Sequence, residues 1–123
     1  MKLVTNNPRF KEEKFDNIDI EFLDVSYDDI LKKVRDYVHG NWELLSHPLY
    51  GSVKPNETIY RSVVIKKVDK LDINSVTLIS DAITTFDKFR SNKKTPNWTD
   101  RVKDDFSVID YDLISQTIYR IIK

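Results

Sequence analysis

Residues 47–62 constrain the fold of this chain more than any other stretch, because they hold two of its four prolines and one of its two glycines. An apolar run at 42–46 precedes this stretch, and another run at 59–68 overlaps its end and continues beyond it. A parallel return to the same sheet needs a crossover of roughly a dozen residues or more, usually helical. Proline and glycine disfavour a helix there. The sequence therefore predicts that the second run pairs antiparallel to the first, across a wide hairpin connection.

Short apolar runs alternate with helical patterns in the first part of the chain. Residues 2–5 and 18–25 have the composition of strands. Between them, Asn7 is a good N-cap and Pro8 suits the first helical position, which predicts a short helix ending at Phe15. Strands that alternate with helices favour a mainly parallel sheet.

The clearest helical pattern follows Ser26, which we expect to cap it. Its apolar positions recur at helical spacing and form one face: Tyr27, Ile30, Leu31, Val34 and Val38. Gly40 stands where a residue in the left-handed conformation commonly ends a helix.

The second half of the chain reads as helical beyond the strand at 59–68. Apolar residues three and four apart predict a helix over 71–89, followed by a polar turn at 91–97. Thr99 is expected to cap a short helix to Phe106, and Asp110 to cap a final one. The predicted fold is a single three-layer α/β domain over residues 1–123. It has a mainly parallel sheet of about four strands, an antiparallel fourth strand and helices on both faces.

The composition excludes several classes of function. Lys+Arg and Asp+Glu both number 20, so the formal net charge is 0 and no basic excess favours nucleic acid or a membrane surface. No segment approaches the roughly 20 apolar residues of a membrane span. The chain has no cysteine and two widely separated histidines, which excludes thiol chemistry and predicts no metal site.

Polar residues follow or precede each predicted strand at one edge of the sheet. In open α/β sheets, ligands bind beyond the carboxyl ends of the strands. The predicted ligand-binding residues at this edge and in the loop are Thr5, Asn6, Asn7, Ser46, Gly51, Ser52, Lys54, Asn56, Thr58, Tyr60, Arg61 and Ser62.

The ligand predicted at this edge is a small anion. Helix amino termini expected at Pro8 and Tyr27 favour negative charge, and Lys54 and Arg61 add charge-assisted donors. The glycine at position 51 stands without the further glycines of a phosphate-binding loop, so the sequence identifies no cofactor.

His47 and Glu57 are the candidates for acid–base catalysis, provided that they lie within about 3 Å of each other or of a substrate. Each has a structural alternative. His47 precedes a proline and is equally well explained as a hydrogen-bonded residue at the neck of the loop. Glu57 can accept hydrogen bonds from its own loop, and Lys54 and Arg61 can be solvated charges.

Four blocks of sequence carry a family resemblance: residues 5–8 (TNNP), 44–49 (LLSHPL), 51–58 (GSVKPNET) and 60–62 (YRS). With them the chain resembles the GrdX family, small proteins encoded with the glycine reductase systems of amino-acid-fermenting anaerobes. The similarity extends over the whole length. Ile59 departs from the pattern, in which proline is expected after Thr58.

The resemblance implies a cytoplasmic location and an association with glycine, sarcosine or betaine reductase, but it supplies no reaction. Those reductases use selenol and thiol groups, which this chain lacks. The leading hypothesis is an accessory protein that binds a small anionic metabolite or cofactor. The alternatives are a small enzyme that uses His47 and Glu57, or a protein-binding partner of a reductase subunit.

Overall fold

The computed structural model describes residues 1–49, 58–92 and 97–121. Its strands are β1 (Lys2–Thr5), β2 (Asp19–Phe22), β3 (Trp42–Leu44) and β4 (Ser62–Lys67). Its α-helices are α1 (Tyr27–His39), α2 (Ile73–Asn92) and α3 (Asp100–Ile121), and a single 3₁₀ turn spans Pro8–Phe10. Within these residues, no helix is both long enough and apolar enough to cross a membrane.

The strands form one mixed sheet in the order β2-β1-β4-β3. β1 runs parallel to β2, and β4 runs antiparallel to both β1 and β3. The predicted antiparallel pairing of β3 with β4 is confirmed, and β1, β2 and β3 share one direction. Because β4 lies between β1 and β3, the β1–β2 pair is the only parallel one among the described strands.

Two clusters of buried apolar side chains draw on alternate residues of the central strands, as the pleat of a strand requires. Val4, Val63 and Ile65 belong to a cluster with residues of α1 and α2. Leu3 and Val64 belong to a second cluster with Ile114 and Ile118 of α3. Full burial of such a side chain stabilises the folded state by about 1.5–3 kcal/mol. Residues of β1 and β4 therefore contribute to the stability of both clusters.

The segment after β1 differs from its prediction. Asn7 is the cap, since its side chain accepts a hydrogen bond from the amide of Arg9, but the helix ends at Phe10 instead of Phe15. Phe15 pairs with Ile18 in an isolated antiparallel bridge. Asn17 has a left-handed φ of 64° within that turn, and this conformation reverses the chain before β2.

The end of α1 also differs by one position. Ser26 caps the helix as predicted, and the predicted apolar face is buried. Gly40 has a φ of −96°, so it is not the left-handed residue. The left-handed residue is Asn41, which has a φ of 69°. Asparagine tolerates this conformation better than other residues with a Cβ atom.

The two short helices predicted for the end of the chain are one helix, α3. Thr99 lies at its start and accepts a hydrogen bond from the amide of Val102. The prediction of Asp110 as a cap is wrong, because Asp110 lies inside the helix and its carboxylate bonds to side chains of other elements. In the turn predicted at 91–97, residues 91 and 92 still belong to α2, and residues 93–96 lie outside the described part of the chain.

Replacing Asn41 tests whether the α1–β3 connection depends on its left-handed conformation. Asn41→Ala should lower the free energy of unfolding by about 1 kcal/mol, because alanine keeps the Cβ atom but lacks the short polar side chain that lets asparagine tolerate a left-handed φ. Asn41→Gly, the matched control, should stay within about 0.5 kcal/mol of the wild type. Urea unfolding measures both values. Equal stability of the alanine and glycine variants would contradict the assignment.

Candidate functional site

The carboxyl end of β1 and the amino end of β4 meet at the predicted edge. Thr5 lies opposite Ser62 in the strand register, and their hydroxyl oxygens are 2.6 Å apart. The amide of Asn7 donates a hydrogen bond of 2.9 Å to Thr5 Oγ1. All three residues are completely buried. The structure therefore brings them together beneath the surface of the protein.

The side chain of Asn6 joins three segments at this edge. Its Nδ2 atom donates to the carbonyl oxygens of Val25 at 3.0 Å and Ile59 at 2.9 Å. Its Oδ1 atom accepts from the amide of Arg61 at 2.8 Å. The strand predicted from residue 59 begins only at Ser62 in the structure.

Asp110 of α3 completes the edge, and the sequence reasoning did not place it in the site. It is 4% exposed, and its Oδ2 atom accepts hydrogen bonds from Ser62 Oγ at 2.6 Å and Asn7 Nδ2 at 3.0 Å. Arg61 Nη2 lies 3.9 Å from its Oδ1 atom. We call Thr5, Asn7, Arg61, Ser62 and Asp110 the Asp110 cluster.

A signal for Asp110 was present in the sequence. It precedes Ile114 by four residues and Ile118 by eight, a spacing that places all three on one side of a helix. Both isoleucines are buried. A carboxylate on an apolar stripe needs a buried partner, and Arg61 provides it.

Arg61 is 3% exposed, and its guanidinium contacts several parts of the described chain. Besides Asp110, Nη1 donates to the carbonyl oxygen of Pro48 at 3.3 Å. The guanidinium carbon also lies 5.3 Å from the ring centroid of Tyr27. These contacts tie the neck of the loop to α1 and α3.

Ser46 and His47 follow β3 at the same edge. Ser46 is buried, and its Oγ atom accepts a hydrogen bond of 2.9 Å from the amide of Val64. His47 is exposed, and its Nδ1 atom accepts a hydrogen bond of 3.0 Å from the amide of Leu49. His47 is thus hydrogen-bonded at the neck of the loop, and its Nε2 side is the one left for other contacts.

Thr58 and Tyr60 line two different cavities. Thr58 contacts one of about 210 Å³ beside Ser26 and Phe86. Tyr60 contacts one of about 470 Å³ beside Arg9 and Lys103. The remaining predicted residues lie outside the described part of the chain: Gly51, Ser52, Lys54, Asn56 and Glu57.

The phenol of Tyr60 is a proton donor at neutral pH. Burial raises the pKa of Tyr60 above its usual value, and the charges of Asp104, Asp100 and Asp24 raise it further. Tyr60 can therefore donate a hydrogen bond to a ligand, but it does not supply a base.

The amino end of α1 carries negative groups of its own. Asp28 and Asp29 lie in its first turn, and the buried Asp28 pairs with Lys32 at 3.0 Å and Arg90 at 3.6 Å. The 3₁₀ turn at Pro8–Phe10 is too short to build up a helix dipole that would attract an anion.

Among the described residues, no group of three or more His, Asp or Glu side chains could hold a metal ion.

Together, the fold and this edge define a small mixed α/β protein whose strand ends are joined by a buried ionic cluster. The family model described as GrdX-like protein matches residues 2–119. The chain therefore belongs to the GrdX-like protein family, as its sequence blocks predicted. Searches of curated proteins and of solved structures found no match.

Removing the carboxylate of Asp110 tests the role of the cluster. Asp110→Ala should lower the free energy of unfolding by about 3–5 kcal/mol, because it removes a buried carboxylate that accepts hydrogen bonds from Ser62 and Asn7 and faces the charge of Arg61. The free energy of unfolding of Asp110→Asn should lie between those of Asp110→Ala and the wild type, since asparagine keeps an acceptor oxygen. Urea unfolding gives the values.

The matched control is Asp112→Ala, which removes an exposed carboxylate from the same helix and should change stability by less than about 0.5 kcal/mol. If Asp110→Ala were as stable as this control, Asp110 would have no structural role.

Proposed function

We propose that this protein is a cytoplasmic accessory protein of glycine, sarcosine or betaine reductase metabolism, and that it binds a small anionic metabolite or cofactor at the strand edge. Membership of the GrdX-like family supports the association with these reductases. The absence of cysteine in the chain excludes a thiol redox role for it. An accessory role is consistent with both observations.

The observation that carries the binding site is the convergence of four segments at one edge. The ends of β1 and β4 and the residues after β2 and β3 meet there, joined by Asn6, Ser46 and the Asp110 cluster. In this proposal the buried groups shape the edge. The exposed His47 and the loop that contains Lys54 contact the ligand, and both supply donors suited to an anion.

We also propose that the domain has three layers, with helices on both faces of the sheet. The two apolar clusters support this arrangement, because Leu3 and Val64 pack with α3, whereas Val4 and Val63 pack with α1 and α2. Neighbouring residues on a strand point to opposite faces. The strand edge would then be open to ligands between the layers.

A thermal-shift screen tests the binding proposal with glycine, sarcosine, betaine, acetyl phosphate, nucleotides and inorganic phosphate. A ligand that binds only the folded state stabilises it by mass action, by about 2.7 kcal/mol at a hundred times its Kd. We expect an anionic compound to raise the unfolding midpoint and Lys54→Ala to reduce that shift.

Lys70→Ala is the matched control, because Lys70 is exposed and lies beyond β4. If Lys54→Ala and Lys70→Ala reduced the ligand-induced shift equally, the binding site would not lie at the loop that contains Lys54. If no compound shifts the midpoint, the small-molecule proposal fails. Co-purification with a reductase subunit would then support the protein-partner alternative.

A further inference from the structure

A cavity of about 300 Å³ lies between the exit of β3 and the last turn of α3. Its lining residues are Leu45, Ser46, His47, Thr117, Arg120 and Ile121. Cavities that hold small ligands begin at about this size. The cavity is therefore large enough for a compact metabolite and too small for a dinucleotide.

Among the described residues of this lining, Arg120 carries a full charge. Its side chain is exposed, and Nε donates a hydrogen bond of 3.4 Å to the carbonyl oxygen of Gln116 in the same helix. Among residues 1–49, 58–92 and 97–121, no carboxylate forms an ion pair with Arg120. Its two terminal nitrogens are thus available to a carboxylate or phosphate, which guanidinium binds in a two-point geometry.

The histidine and serine of the cavity add donors to this cation. Because His47 Nδ1 accepts a hydrogen bond from the amide of Leu49, the proton of the neutral ring lies on Nε2. The Oγ atom of Ser46 accepts from the amide of Val64, which leaves its own proton to donate. Leu45 and Ile121 supply apolar walls, and none of the described residues in the lining carries a carboxylate.

We propose that this cavity is the site where the protein binds its anion, a small carboxylate or phosphate compound held by Arg120 and by the Nε2 proton of His47. The inference rests on the proposed function and assigns its ligand to the side of the sheet on which Leu45 and Ile121 pack with Ile114 and Ile118. It makes His47 a binding residue. It also adds Arg120, which the sequence reasoning did not select.

The test is an NMR titration of the full chain with inorganic phosphate and, separately, acetate at constant pH and ionic strength. The chain has two histidines, so their imidazole signals are resolved, and the spectrum of His47→Gln assigns them. We expect a saturable shift of the His47 signals with one or both anions. His39, at the end of α1, is the internal control and should not move.

Arg120→Ala should weaken this binding at least about tenfold, because a charge-assisted contact is lost. The affinity of Arg120→Lys should fall between those of Arg120→Ala and the wild type, since an ammonium group keeps the charge without the two-point geometry. Arg101→Ala removes another exposed arginine of α3 and should leave the affinity unchanged. Unshifted His39 signals verify that the variants remain folded.

Each other outcome overturns the inference. If the thermal-shift screen finds an anionic ligand but the His47 signals do not move with it or with either anion, the proposed function stands and its site lies elsewhere. An affinity unchanged in Arg120→Ala would mean that Arg120 only complements the negative carboxyl end of α3. If no anion binds in either experiment, the inference and the anionic part of the proposed function fail together.

Discussion

The buried pairing of Arg61 with Asp110 holds the rest of the strand edge in place. Removing two charges from water is unfavourable unless their hydrogen-bonding capacity is used. Here Ser62 and Asn7 donate to Asp110, and Pro48 accepts from Arg61. Because each contact comes from a different part of the chain, the cluster specifies how α3 and the loop neck lie against β1 and β4.

Local patterns were enough to predict α1 and the strand directions. Ser26 and the apolar residues after it define a helix through contacts within a few positions, and the proline-containing loop leaves only an antiparallel return. The end of the helix was missed by one residue, because Gly40 and Asn41 are both suited to a left-handed conformation and only the three-dimensional path distinguishes them. Asp110 was misread as a cap because its partners Ser62 and Asn7 lie 48 and 103 positions away.

The candidate site shows the same limit of sequence reasoning in another form. Asn6 and Arg61 were predicted to contact a ligand, and the structure shows their side chains bonded to the protein itself. An amide or a guanidinium can bind a ligand or bond to the protein itself. Residue type and position at a strand edge therefore do not distinguish a ligand-binding role from a structural one. Arg120, which we propose as a binding residue, was not selected from the sequence. An arginine in the last turn of a helix is ordinarily explained by the helix dipole.

The strand order has a consequence for how the chain folds during synthesis. β1 is made first, but its place in the sheet lies between β2 and β4, and β4 follows it by more than fifty residues. Until β4 has left the ribosome, one edge of β1 has no partner, and α3 supplies Asp110 later still. Pairings between distant segments form slowly and leave strand edges exposed in the meantime. The nascent chain therefore depends on segments made later, β4 and α3, to complete the surroundings of β1.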